Sequence, residues 1–499
     1  MSGQNGFSSR SLDQEPDTIA AIPRDSDFIV IGTYSLVNES QGSGTSSRKG
    51  SLQVVPFSAS TQLQPHTNIS LERLDFSFGV YDIHFHPRYP DLLGVATSDA
   101  RILFYFLSRR HEDMNSSKGY AFIKLGAVLV EGPDESSGQL SIITQFQFLD
   151  WHMQVTEDTT GSGRDNQRDI LLAATTQSGN TKLLKVTVPY PTHTPSSDFG
   201  IEHALPQDTP NSSGAQILEV HKQSFDLEAW TVLPISYKNV TKQSYQHLLL
   251  LSGGDDSHLI ISHLRLPYLR SSEIDLDMFD TNLLLTVKKA HQAGVVSICN
   301  LGPVQPLSWN QPHPENNSCA RQWLILTGSY DETLRLFILG INHTDQDLPE
   351  PMLSTRSFRL QAELNLGGGV WRIKLLDCYP TQVSSPLNAS SSINGSRVTA
   401  IDYILLIAGH TSGAHIVRLT ITEPTTFNDE LKCEFRIEKS FTEGHESLVY
   451  AVEARHAVPL GETDNGQTDN ARRWEIISAS FYDKKVCNWE WMDDRFNDS

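Results

Sequence analysis

The most regular pattern of apolar and polar positions lies at Trp323–Leu339, WLILTGSYDETLRLFIL. An apolar run, Leu324 to Leu326, is followed by small residues at Thr327 to Ser329, a tight turn at Tyr330-Asp331-Glu332, and alternation through Leu334, Leu336 and Ile338. This predicts two antiparallel strands joined by a hairpin. Turns with the same aspartate recur at Asp99, Asp256, Asp331 and Asp483, at intervals of 157, 75 and 152 residues, so the outer intervals are close to twice the middle one. A unit of about 75 residues therefore predicts unmarked turns near positions 178 and 407. Thr176-Gln177-Ser178-Gly179 follows the run ILLAAT, and His410-Thr411-Ser412-Gly413 follows YILLIAG. One further step back reaches Gly32-Thr33-Tyr34, after FIVI.

Seven equivalent hairpins imply an all-β, seven-bladed β-propeller of four-stranded sheets. The turn Asp331 followed six residues later by Phe337 has the spacing of a WD40 hairpin. Blades are expected at about 16–76, 77–132, 139–220, 221–289, 290–366, 367–443 and 444–492, with a tail at 493–499. Long disordered inserts are expected at 38–50, 108–119, 156–169, 189–216, 305–320, 380–397 and 459–472, whose polar, Ser-, Pro- and Gly-rich composition buries little apolar surface. The last blade lacks an outer strand after Trp491, so the N-terminal segment, 1–15, is expected to supply it and leave no open edge. Only Glu273 to Asn282 has a weakly helical pattern.

Composition narrows the function. A formal charge of −20, with Lys and Arg scattered, argues against nucleic-acid binding as the main task. No apolar run reaches the length of a membrane span, and no signal peptide is visible in MSGQNGFSSRSLDQEPD. Five widely spaced cysteines suggest neither a disulfide framework nor a metal site. A cytoplasmic monomer without cofactor is the expectation.

Some residue sets resemble catalytic triads: His291, Thr327 and Asp331 in blade five, and His221, Ser252 and Asp256 in blade four. Blade seven keeps His445 and Asp483 but has Ala479 between them. In a propeller blade such a set forms a buried network that satisfies the turn's own polar groups, so His221, His291, His445, Asp256, Asp331 and Asp483 are assigned a structural role.

A second pattern appears when the first strands are aligned on V-x-x-I: four blades carry an aromatic residue at one position, Tyr81, Trp230, Trp371 and Tyr450. The rings either wedge neighbouring blades apart or gather at the channel. In the second case, aromatic faces beside acids such as Glu228, Asp255 and Glu446 suit a quaternary ammonium group. Tyr330, Tyr482 and Arg372 join Trp230, Trp371 and Tyr450 as candidate substrate contacts, and His410, Asp255 and Glu228 are candidates for activating water.

The strings EAW (228–230), SGGDD (252–256), TGSYDE (327–332), GGVWRIK (368–374), HESLVYAV (445–452) and SFYDKKVCNWEW (480–491) resemble the WD-repeat diphthine methylesterase family of the diphthamide pathway. The resemblance covers blades four to seven strongly and the earlier blades weakly. It implies hydrolysis of the methyl ester of diphthine, the modified histidine of translation elongation factor two, which would be the protein partner. That substrate carries a trimethylammonium group next to its ester. The departures are Phe337 and Ser262, which stand where the repeat usually has Trp. The alternative function is a non-enzymatic WD-repeat scaffold that docks a protein at the same mouth.

Overall fold

The computed structural model describes residues 7–37, 47–57, 71–110, 119–150, 167–191, 215–238, 245–267, 280–304, 321–341, 358–383, 398–422, 431–457 and 472–493. These residues form seven antiparallel four-stranded sheets, and no helix occurs among them. Blade one comprises Glu15–Ala21, Phe28–Val37, Ser47–Pro56 and Glu72–Phe76. The first strands of the following blades are Val80–Phe85, Ile143–Phe148, Ala229–Lys238, Val295–Pro303, Arg372–Val383 and Val449–His456. Each first strand contacts the next, and the strand of blade one meets that of blade seven, so the ring is closed around a central channel.

The apolar runs are continuous rather than alternating because each second strand is buried on both faces between two neighbouring blades. Ile29, Val30 and Ile31 are each fully buried, as are Leu248 to Leu251. The outer strand Lys432–Phe441 alternates between exposed and partly buried positions instead. Seven apolar clusters each straddle one blade interface, so the core is divided into seven wedges. Each fully buried Leu or Ile contributes about 1.5–3 kcal/mol to holding adjacent blades together.

The N-terminal strand Ser8–Ser11 completes blade seven by pairing antiparallel with Lys485–Asn488. The Leu12 amide donates to the Lys484 carbonyl at 2.8 Å, and the Phe7 ring meets Phe441 of blade six edge-on at 5.7 Å. The weak helical pattern at Glu273–Asn282 is corrected where it is described: Asp280 to Asn282 belong to the strand Asp280–Val287, because pairing with Leu259–Pro267 outweighs local propensity. The expected inserts lie mostly outside the described residues, although Ser47–Gly50, Ser108–Arg110, Gly119, Gln167–Asp169, Pro189, Gln216, Pro380–Val383 and Arg472, placed within six of them, are strand.

Because closure rests on a strand distant in sequence, removing residues 1–11 should lower the thermal unfolding midpoint by several degrees and promote self-association through the bared edge. Calorimetry and light scattering test this; an unchanged midpoint with a monodisperse monomer would show that the strand does not close the ring.

Candidate functional site

Six of the seven first strands shift register against the second strand at the same place, between Pro16 and Thr18, Val80 and Asp82, Ile143 and Gln145, Ala229 and Thr231, Val295 and Ser297, and Val449 and Ala451. The residue skipped by the ladder is Asp17, Tyr81, Thr144, Trp230, Val296 or Tyr450, and Trp371 holds the matching place directly before the first strand of blade six. A bulge of this kind re-aims one side chain. A second ring comes from the residue that opens the hairpin turn in blades two to seven, Ser98, Gln177, Asp255, Tyr330, His410 and Phe481, and from Tyr34 within the second strand of blade one. Several of these are anchored by their amides; that of Tyr330, for example, donates to the Gly294 carbonyl at 3.1 Å.

The two rings interdigitate into a continuous aromatic wall. Trp230 lies 5.8 Å from Trp371 and 6.5 Å from Tyr330, and Tyr330 lies 5.7 Å from Trp371. Trp371 stacks on Tyr450 at 4.8 Å, Tyr450 meets Phe481 at 5.1 Å, Phe481 meets Tyr34 at 4.8 Å, and Tyr34 stacks on Tyr81 at 4.5 Å. His410 sits within this wall, 5.5 Å from Tyr450, 6.2 Å from Trp371 and 6.3 Å from Tyr330. Space is tight here: a Cβ on Gly294 would come within 2.5 Å of the Asp255 carboxylate.

His410 is also conformationally distinct. Ala100, Ser257, Glu332 and Lys484 adopt positive φ directly after the turn aspartate, and Gly179 and Gly413 serve that role in blades three and six. His410, with φ of 50°, is left-handed at the opposite end of its turn. That backbone is uncommon for a residue with a side chain, and it is held by a 2.9 Å bond from the Val449 amide to the His410 carbonyl. Burial lowers the pKa of His410, which favours the neutral imidazole.

Charged groups complete the mouth. Trp230 donates its ring N–H to Asp255 at 2.7 Å, and burial, reinforced by Glu228 and Asp256, raises the Asp255 pKa. Arg372 reaches across the channel from blade six to Asp82 of blade two at 3.4 Å. Burial alone would raise the Asp82 pKa, but His84 at 3.0 Å, Arg372 and the Phe146 amide hold it below the usual range. Asp17, 4% exposed, is pushed up to about 8 by burial, with Arg372 opposing and Asp82 adding to the rise. Among the described residues no group of three His, Cys, Asp or Glu side chains is arranged to hold a metal ion.

The structure therefore brings together Trp230, Tyr330, Trp371, Arg372, Tyr450, His410 and Asp255. It does not bring Tyr482 in: that side chain is 69% exposed, and Phe481 takes the ring position because the blade-seven turn is one residue longer. Glu228 stays beside the ring, where its carbonyl accepts the Asp255 amide at 2.9 Å. Sequence alignment on V-x-x-I missed Asp17 and Thr144, which follow Pro16 and Ile143 rather than Val; the pattern P-D-T-I matches once Pro is admitted.

The turn networks differ from blade to blade. His291 contacts Asp331 at 3.1 Å through Nδ1 and Thr327 at 2.8 Å through Nε2. In blade four the assignment of His221 is corrected. It lies in the outer strand Gln216–Ser224 of blade three, and its Nε2 has no hydrogen-bond partner. Gln223 supplies the missing group, donating to Ser252 and accepting from Ser262, each at 2.6 Å, so Ser262 replaces the usual Trp as part of one exchange. Asp256 turns to His258 at 3.0 Å. In blade seven His445 bonds Ser478 and Ser480 at 2.7 Å each, while Asp483 accepts the Glu446 amide at 2.7 Å.

No family model matches the chain. It is 26% identical over 269 residues to a Schizosaccharomyces pombe protein named diphthine methyltransferase, an alignment spanning 53% of this chain and 52% of that protein. A Dictyostelium discoideum protein named diphthine methyltransferase homolog is 26% identical over 268 residues, 54% of this chain and 51% of the relative. With its seven-bladed ring, the chain fits a WD-repeat protein like the diphthine methylesterases. It aligns with about half the length of these relatives. Among solved structures, Chaetomium thermophilum Sqt1 bound to the N-terminus of ribosomal protein L10 superposes with a TM-score of 0.40 at 12% identity, covering 96% of this chain and 97% of that one. Saccharomyces cerevisiae Sqt1 gives 0.41 at 9% identity, covering 98% and 99%.

Replacing His291 with Ala should cost about 1–3 kcal/mol in chemical denaturation, because Thr327 and Asp331 lose a buried partner. Acid should act in the same direction. Burial lowers His291 and depresses His415 and His445 to about 4. These rings bind fewer protons folded than unfolded, so their contribution is complete above about pH 6.5 and is lost as pH falls below it. Unfolding midpoints that stay flat between pH 7 and 5 would contradict this.

Proposed function

We propose that the protein hydrolyses a carboxylic methyl ester next to a quaternary ammonium group, and that its substrate is the methyl ester of diphthine on translation elongation factor two. The observation that carries this reading is the aromatic wall from Trp230 through Trp371 and Tyr450 to Tyr34. Each ring face in contact with a quaternary cation contributes about 0.5–2 kcal/mol. The sequence relatives with diphthine in their names support the same substrate class.

Hydrolysis needs a base, a seat for the cation and stabilisation of the charge that develops on the carbonyl oxygen. His410, kept neutral by burial, suits the role of base. It would take a proton from water as the hydroxide attacks the ester carbon, then return the proton to the departing methoxide, so that water and ester give acid and methanol. The guanidinium of Arg372 would stabilise the oxyanion. No covalent intermediate is required.

The test is incubation of the purified chain with elongation factor two carrying methylated diphthine, followed by mass measurement and methanol detection. Loss of one methyl group is expected; binding without mass change would favour the scaffold reading. His410→Ala should reduce turnover by about 10²-fold or more, in line with loss of a general base. Trp371→Ala should weaken substrate binding by about 2- to 30-fold, corresponding to one ring contact. The rate should fall as pH drops through the His410 titration below the usual histidine value, and a rate insensitive to both substitutions would remove this mechanism.

A further inference from the structure

The channel mouth holds two buried carboxyls, Asp17 and Asp82; the Arg372 guanidinium acts on both, and Arg48 is hydrogen-bonded to Tyr81. Asp82 takes the Arg372 cation, and it also has the His84 ring at 3.0 Å and the Phe146 amide at 3.1 Å. No described side chain forms an ion pair with Asp17. Its position in the bulge ring puts it between Tyr450 of blade seven and Tyr81 of blade two.

The groups facing Asp17 from other elements are mostly neutral. Tyr34 comes from the second strand of its own blade, Tyr81 from blade two, Tyr330 from blade five and Tyr450 from blade seven, and burial first, with Asp17 as a further cause, raises the pKa of each. Arg48 acts on Tyr81 and opposes its rise. Glu453 of blade seven is committed to Lys374 and to the Ala21 amide, and Glu15 pairs with Lys484. A charged carboxylate at Asp17 therefore has no ion pair of its own and shares the field of Arg372 with Asp82, which holds that cation.

We propose that Asp17 is the anionic seat for the quaternary ammonium group, and that its O–H bond breaks and releases the proton to solvent as the cation binds. The cation then replaces the proton, and the charge in the mouth is balanced without movement of Arg372. Asp17 stands at about 8 in the empty site, so below that pH each bound cation displaces a proton and affinity rises with pH; above it the dependence disappears. The inference takes its ligand class from the esterase reading but does not need the ester to be cleaved.

Choline, which has no ester, is the probe, and 3,3-dimethylbutan-1-ol is its neutral isostere. Titration calorimetry of the full chain at pH 7, in buffers of different ionisation enthalpy, should show close to one proton released per choline and a preference for choline over the isostere of about tenfold or more. Choline affinity should rise about tenfold from pH 6 to pH 7. Asp17→Asn, nearly isosteric and checked by its melting curve, should abolish proton release and most of the preference. The wild-type proton count needs no variant, so a misfolded mutant does not spare the proposal. Choline binding without proton release, no choline binding, or a folded Asn variant that keeps both properties overturns it. Proton release without cleavage of diphthine methyl ester supports Asp17 and counts against the esterase reading alone.

Discussion

The site depends on one backbone constraint, the register shift in the first strand of the blades. A strand that pairs without interruption sends alternate side chains into the blade interfaces on either side. Skipping one residue of the ladder re-aims a side chain, as happens at Asp17, Tyr81, Thr144, Trp230, Val296 and Tyr450, although the Thr144 hydroxyl donates to the Ala229 carbonyl of blade four at 2.6 Å. The hairpin turns contribute a second set at the same height. The ring closure by Ser8–Ser11 keeps the blades at a fixed spacing, and so keeps rings from different blades within 4.5 to 6.5 Å of one another.

The mouth that results is asymmetric. Blades four to seven, one and two provide rings, while blade three provides Thr144 and Gln177, and blade five provides Val296 opposite its Tyr330. Charge is asymmetric in the same sense: Arg372 is drawn to Asp82 in blade two, and Asp17 and Asp255 lie towards either end of the aromatic arc with raised pKa values. An aromatic arc ending in protonatable carboxyls is suited to a cation without N–H donors, since such a cation is held by faces and field rather than by hydrogen bonds.

Much of this architecture is legible in the sequence because the marker aspartates and both-face-buried runs repeat with a nearly constant period. The N-terminal closing strand follows from the missing partner of Lys485–Asp493, and five of the seven positions in the inner ring, Tyr81, Trp230, Val296, Trp371 and Tyr450, follow from V-x-x-I. The remainder is hidden where a blade keeps the geometry with different chemistry. Asp17 sits behind a proline instead of a valine, Gln223 and Ser262 together replace a His and a Trp, and the extra residue in the blade-seven turn moves Phe481 to the place that counting assigns to Tyr482. His221 has the right residue type but lies on an outer strand, and only the pairing of Leu183 with His221 reveals that. Backbone register, not residue identity, decides which side chains reach the mouth.

Whether the two rings form a seat for a quaternary cation is decided by a crystal structure of the full chain with tetramethylammonium. The nitrogen is expected within about 6 Å of the Trp371 and Tyr450 ring centroids, on the side facing Asp17. A cation ordered only elsewhere on the propeller, with the aromatic mouth unoccupied, would contradict it.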